Sequence, residues 1–349
     1  MSGVERMPRI SDGATDSVLA FAPIMAANGA PLYAELCKRI PDDPELLALT
    51  SYGLAAFPAI HLFVAVQYLL LEDPSDPLAQ YYANLSPNPR PPEQAFPDFA
   101  RFCRQHREEI LQLMRTRSIQ ATMPERCAAI LPLLSDIADR AGQPLNLIEI
   151  GCSAGILLTF DKYAYALRGR GQLGPVDAPI TFDLEVRGAG PELHIPKVAL
   201  RIGLDLRLVD AKLKDEQRWL LAQFHPEARN RQEHLATALA VVTRTAIDFR
   251  EGNAIDLLPR AISDSPGPLC VFHSNCVIYW DEVGKTKLEE ILKNASRRRT
   301  IYRMSMEPEP NRPLELASAE YRDGVSKPLV AATTENDHTV VTWSNWRDT

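Results

Sequence analysis

The sequence predicts an α/β protein: a doubly wound, mostly parallel sheet that finishes in an antiparallel hairpin, preceded by an all-helical N-terminal domain. Three observations carry this expectation. Residues 1–140 place apolar positions at helical spacing, and from residue 145 short apolar runs alternate with amphipathic segments. Residues 328–346, "PLVAATTENDHTVVTWSNW", are two β-rich runs around the polar turn "END".

In the first part, "APLYAELCKRI" has a helical pattern, and "PDDPELLALT" opens a helix with acids in its first turn. "AIHLFVAVQYLLLE" is apolar nearly all round, as a central helix is. The Pro-rich stretch 86–97 is a connector. "DFARFCRQHREEILQLMRTR" reads as one amphipathic helix and "PERCAAILPLLSDIADRAG" as another, closed by Gly142. These segments give a helical domain over 1–140 and a sheet domain over 141–349.

In the sheet domain "LNLIEIG" reads as a parallel strand buried on both faces, and "ILLTFDKYAYALRG" as the helix after it, with Tyr163 and Tyr165 as packing residues. "PITFDLEVRG" alternates as a half-exposed strand does, inside an inserted loop and strand at about 168–196. "VALRIGLDL", "AIDFREGNAIDLL", "PLCVFHSN" and "RRRTIYRMSM" supply further strands. "KDEQRWLLAQF" and "KTKLEEILKNAS" supply helices between them.

Hydrophobic residues at 46% and charged residues at 24% are the shares of an ordinary soluble protein. A net charge of −7 argues against a nucleic-acid partner, which would need a basic face; "RRR" at 297–299 reads as a solvated helix end. The longest apolar stretch, 54–71, contains Pro58, His61 and Gln67 and reads as a buried helix, with no membrane partner implied and His61 a core histidine. The six cysteines form no C-x-x-C pair and no metal-ligand spacing, so no metal is expected and the thiols suit a reducing compartment. "MSGVERMPRISDG" has no apolar h-region, and the expected location is cytoplasmic.

The chemistry centres on "NLIEIGCSAGI", residues 146–156, where a buried strand ends in a carboxylate and a turn of small residues. In a doubly wound sheet ligands sit outside the carboxyl ends of the strands, and small residues let them approach the backbone. The dinucleotide fingerprint G-x-G-x-x-G lacks two of its three glycines here, at Ser153 and Ile156. The pattern acid-x-G-x-G-x-G of class I S-adenosylmethionine-dependent methyltransferases is matched by Glu149, Gly151 and Gly155, with Ser153 as the one departure. Cys152 completes the turn. S-adenosylmethionine carries no diphosphate, so a Ser Cβ obstructs it less, and Glu149 suits its ammonium group. Together with "RIGLDLRLVD", "GNAIDLLP", "VFHSNCVIYW", "SDPLAQYY" and "TRSIQATMPERCAAILP", these residues resemble an uncharacterised bacterial family, domain of unknown function family 2332. Its core is similar to that of the class I methyltransferases. The resemblance implies a Rossmann-like fold and S-adenosylmethionine as cofactor; Gln120 and Arg126 match its pattern, while "QATM" departs from it.

On this reading Asp205 takes the ribose hydroxyls. It lies 56 residues after Glu149, where roughly 20 is usual, a gap the insertion at 168–196 explains; Asp183 and Glu185 are the alternatives. Asn253 faces the adenine or is an ordinary turn residue, and Asp256 starts a helix. His273 is the candidate base, with Ser274 or Asn275 orienting the substrate. Arg117, Gln120 and Arg126 are candidates for binding an acidic substrate group. The expected activity is direct methyl transfer to a small molecule. The alternatives are a non-catalytic S-adenosylmethionine- or S-adenosylhomocysteine-binding protein and, less favoured, an NAD(P)-dependent oxidoreductase.

Overall fold

The computed structural model describes residues 14–52, 58–120, 122–308, 314–334, 338 and 340–345. The first 13 residues, positions 54–57 of the apolar run, Ala121 of "QATM" and the "END" turn at 335–337 lie outside the described residues. In chain order the helices are α1 (Ala14–Ala27), α2 (Pro31–Arg39), α3 (Pro44–Thr50), α4 (Pro58–Glu72), α5 (Phe96–Gln105), α6 (Arg107–Thr116), α7 (Arg126–Ala141), α8 (Lys214–Ala222), α9 (Arg229–Val242), α10 (Ala254–Ser263) and α11 (Glu282–Ser296). The strands are β1 (Leu145–Ile150), β2 (Ala164–Leu167), β3 (Gly171–Leu173), β4 (Thr181–Arg187), β5 (Val198–Asp205), β6 (Asp248–Glu251), β7 (Leu269–Ser274), β8 (Ile301–Glu307), β9 (Leu314–Arg322), β10 (Val325–Thr334) and β11 (Val340–Asn345).

Two units form. One comprises residues 1–121 and 213–233, the other 122–212 and 234–349. The first contains α1 to α6 and α8. The start of α3 shows how its helices begin: Pro44 needs no N–H partner, and the Asp43 carboxylate accepts from the N–H groups of Glu45 and Leu46. Residues of α8 join this unit because Trp219 packs edge-on against Tyr68 and His61, and the Gln67 amide donates to the carbonyls of Ala222 and Phe224. His61 is fully buried there. Burial lowers its pKa, while a hydrogen bond to the backbone of Arg117 acts in the opposite direction. Among the described residues no helix is long and apolar enough to cross a membrane.

The second unit is mixed α/β, built on a large, mostly parallel sheet in the order β3-β2-β4-β11-β10-β9-β8-β7-β1-β5-β6. Strand β1 is flanked by β5 on one side and β7 on the other, both parallel to it. Strand order therefore reverses at β1, and the crevice beyond its carboxyl end is where open α/β sheets receive ligands. Ile148 and Ile150 of β1 pack with Val271, Leu258 of α10 and Leu288 of α11 on one face. Alternation then turns Glu149 to the other face.

Several sequence expectations need correcting. The segment after β1 is not an α-helix: Leu157–Lys162 is a short 3-10 turn, and Tyr165 lies in β2. The buried Tyr163 hydroxyl bonds the Thr159 hydroxyl, the Tyr165 hydroxyl donates to the Phe160 carbonyl, and the Ala164 N–H donates to Ile180. Those contacts favour a strand. The insertion is correspondingly larger than 168–196, with β2, β3 and β4 joining the sheet beyond β11. The long helix after the Pro-rich connector breaks at His106, whose ring packs on Phe102 and bonds Glu109. Helix α7, capped by Gly142 as expected, groups with the sheet in the unit that begins at residue 122. The β10–β11 hairpin forms, but β9 precedes it, joined to β10 through Asp323 and Gly324, both at positive φ.

Candidate functional site

Glu149 is 3% exposed, and its Oε2 has no hydrogen-bond partner. Burial pushes its carboxyl well above the usual range and the nearby Asp205 carboxylate adds to this, while the Arg126 guanidinium opposes it. Arg126, the first residue of α7, is itself 5% exposed. Burial pushes it down to about 10, with the charges of Glu149 and Glu307 working the other way. A buried cation and a buried carboxyl thus share one environment at the end of β1.

The bend after Glu149 carries three positive φ angles, +74° at Gly151, +50° at Ser153 and +77° at Gly155. It is held from within the chain. The N–H of Ser153 donates to Asp205 Oδ2 at 2.7 Å, that of Arg207 to Asp205 Oδ1 at 3.0 Å, and that of Gly151 to the Leu204 carbonyl at 2.8 Å. Asp205 stands at the carboxyl end of β5, where a ribose acid is expected, and both its oxygens already secure backbone. Burial raises its pKa, opposed by those N–H groups. The open sides of the glycines are filled by neighbours: a Cβ on Gly151 would lie 2.7 Å from Cys276 Cβ, and one on Gly155 would lie 2.8 Å from the Phe249 ring. Cys152 is buried with its sulfur against Gly203. Gly151→Ala must therefore both strain φ and displace Cys276. The expected cost is about 1–3 kcal/mol, to be read from urea unfolding.

The expectation that this bend opens onto a helix N-terminus does not hold, because the 3-10 turn at Leu157–Lys162 follows instead. Asp183 and Glu185 lie on β4, on the far side of β11, β10, β9, β8 and β7 from β1. Glu185 is paired there with Arg168 and Arg187. Asn253 caps α10, its side-chain oxygen accepting from the Ile255 N–H at 2.9 Å. Asp256 is in the first turn of that helix.

His273, on β7, is 1% exposed and engaged at both nitrogens. Its Nδ1 lies 2.5 Å from Glu307 Oε1, and its Nε2 accepts from Arg303 at 2.9 Å and 3.1 Å. Arg303 continues to Glu289, which also accepts from the Tyr321 hydroxyl. Burial depresses the imidazole pKa, opposed by Glu307, so the ring is held neutral with its proton on Nδ1. Glu307 was not singled out by the sequence reading, yet it ties the end of β8 to the turn after β7. Its carboxylate also accepts from the N–H groups of Cys276, Val277 and Ile278 at 3.2–3.3 Å. Burial pushes Glu307 up, but the His273 and backbone hydrogen bonds outweigh it and leave the carboxyl below its usual range. The only sequence signal was an acid closing the strand "IYRMSME". Beside this network Ser274 Oγ and Asn275 Oδ1 are buried without partners, and Asn275 has φ +50°.

A family model described as "Uncharacterized protein conserved in bacteria (DUF2332)" matches residues 15–347. The chain belongs to this family. No curated protein matches it.

The DUF2332 match covers described residues of both units, and the three polar candidates from "TRSIQATMPER" divide between them. Arg126 lies in the second unit with Glu149. Arg117 and Gln120 lie in the first. There the Arg117 guanidinium pairs with Asp215 and Glu216 and stacks over Tyr68 and Trp219, and the Gln120 N–H donates to the Gln223 side chain at 2.8 Å. Those contacts give both a packing role within their own unit.

Proposed function

We propose that this DUF2332 protein binds S-adenosylmethionine at the carboxyl ends of β1 and β5 and transfers its methyl group to a small molecule. The observation that carries the reading is Glu149, a buried carboxyl with an unpartnered oxygen at the point where strand order reverses. The central strand order β6-β5-β1-β7-β8 agrees with a class I methyltransferase-like Rossmann arrangement. The residues present fit the cofactor in chemistry: Glu149 would accept from its ammonium group, and Asp205 retains a lone pair for a ribose hydroxyl beyond the N–H groups of Ser153, Leu206 and Arg207 that it serves. Asn253 Oδ1 keeps a second lone pair in the same way. When bound, the cofactor supplies an electrophilic methyl group on a sulfonium. The chain's contribution is to hold the amino-acid end, orient the nucleophile and keep water out. With no helix N-terminus after the bend, a diphosphate loses its main attraction, which disfavours the NAD(P) reading.

A second reading, binding without transfer, is supported by His273. A ring bonded at Nδ1 and Nε2 has no lone pair to offer as a base. Calorimetric titration separates the readings. Both S-adenosylmethionine and S-adenosylhomocysteine are expected to bind and NAD is not. Failure of both sulfur ligands, or binding of NAD alone, rejects the proposal. Binding without turnover on any acceptor leaves the second reading.

A further inference from the structure

His273 has both ring nitrogens engaged, but a second imidazole of the same unit does not. His234, on α9, places Nδ1 2.8 Å from Glu125 Oε1, and among the described residues its Nε2 meets no hydrogen-bond partner. The Phe182 ring stands edge-on to the imidazole at 5.5 Å and fixes it from a second side. Glu125 is 8% exposed with Oε2 unpartnered, whereas the His234 side chain is 35% exposed. A carboxylate only accepts, so the hydrogen sits on Nδ1 and the neutral ring keeps its lone pair on Nε2, away from the buried carboxyl. The pair stands at the ligand end of the sheet. Only residues 142–144 separate α7 from β1, so the helix runs back along the sheet and its first turn lies over the carboxyl end of β1. Residues 122–126 meet the bend there: the Thr122 hydroxyl donates to Ser153 Oγ at 3.2 Å, and Arg126 feels the charges of Glu149 and Glu307. Glu125 lies between those two contacts. Every residue in this arrangement belongs to the second unit.

We propose that His234 is the general base for the methyl acceptor, with Glu125 the positioning residue that fixes its tautomer and balances the imidazolium. This rests on the function proposed above and defines the acceptor class: a small molecule whose nucleophilic atom still carries a proton, as O–H or N–H. That proton passes to His234 Nε2 while the atom's lone pair bonds to the methyl carbon, and the carbon–sulfur electron pair returns to sulfur. An acceptor that arrives already ionised, such as a carboxylate, has no use for the pair.

Diethyl pyrocarbonate, which acylates an accessible imidazole nitrogen, tests the placement without any acceptor. Mass spectrometry is expected to find His234 modified, and S-adenosylhomocysteine at about 100 times its Kd should slow that modification at least about tenfold. In Glu125→Ala the imidazole loses its Nδ1 partner, so nitrogen NMR should show the Nδ1–H tautomer giving way to Nε2–H. Protection of the wild type decides if that variant does not fold. His234→Gln should still bind S-adenosylhomocysteine, which reports an intact fold. Its formation of S-adenosylhomocysteine from S-adenosylmethionine, across a panel of small hydroxyl and amine acceptors, should fall about 100-fold or more. An unprotected His234 in a protein that binds S-adenosylhomocysteine overturns the base and leaves the cofactor reading intact. Transfer by His234→Gln at the wild-type rate does the same, as does a wild type that transfers to none of the panel. If S-adenosylhomocysteine does not bind the wild type, the functional reading fails and the base with it.

Discussion

Glu307→Ala is expected to destabilise the second unit by about 3–5 kcal/mol, the cost of stranding several buried donors at once. The carboxylate accepts from His273 and from three successive backbone N–H groups, and its side chain is 17% exposed. Removing it leaves those donors without partners and Arg303 beside an unanchored imidazole. Urea unfolding at pH 7 measures the loss, and Glu307→Gln, which keeps one accepting oxygen, should fall between. Acid should weaken the same network. The Glu307 carboxyl is held below its usual range, so its stabilisation is complete above the ordinary carboxylate pKa and disappears as pH falls through the lowered one. The His273 imidazole is also depressed, so the unfolded chain binds its proton first and stability declines as pH drops below about 6.5. In Glu307→Ala the Glu307 part of the acid dependence should vanish. A loss under about 1 kcal/mol would show that the carboxylate is not the tie described.

Glu149→Gln is expected to separate stability from ligand binding. The Glu149 carboxyl is raised well above its usual range, so at pH above about 4.3 the folded state holds a proton that the unfolded chain releases, and stability falls as pH rises. The amide removes that dependence. The variant should match the wild type near pH 4 and exceed it by about 1 kcal/mol at pH 8 in urea unfolding. Its affinity for S-adenosylhomocysteine should drop by about tenfold or more, because the amide, unlike the carboxyl, cannot give up a proton to become the counter-charge of the ammonium. A variant less stable than the wild type at pH 8 would mean that Glu149 is ionised there as the counter-charge of Arg126.

Strands β1, β5, β6, β7 and β8 were legible because each is a short apolar or alternating run bounded by polar turns. Gly142 and the β10–β11 hairpin followed from equally local signals. The helix expected after β1 failed because apolar spacing alone does not distinguish a helix from strands whose tyrosines are buried by distant neighbours, as Tyr165 is beside Phe182. The β9–β10 turn did carry a local signal, Asp-Gly at 323–324, between two alternating runs. At the candidate site, the strand-end positions of Glu149 and Asp205 and the bend between β1 and the 3-10 turn were legible from residue type and spacing. Glu307 was not, since its value lies in where β8 ends relative to the turn after β7. That proximity is set by pairing across the sheet.

The excursion of β2, β3 and β4 to the far side of the sheet orders events in time. Strand β4 finds its partner in β11, made more than 150 residues later, at Val340–Thr342. Until the ribosome has released that segment, β4 has only β2 beside it, and its other edge stands bare to any passing strand. Completion of this sheet waits on a segment far along the chain, a long-range closure of the kind that makes folding slow.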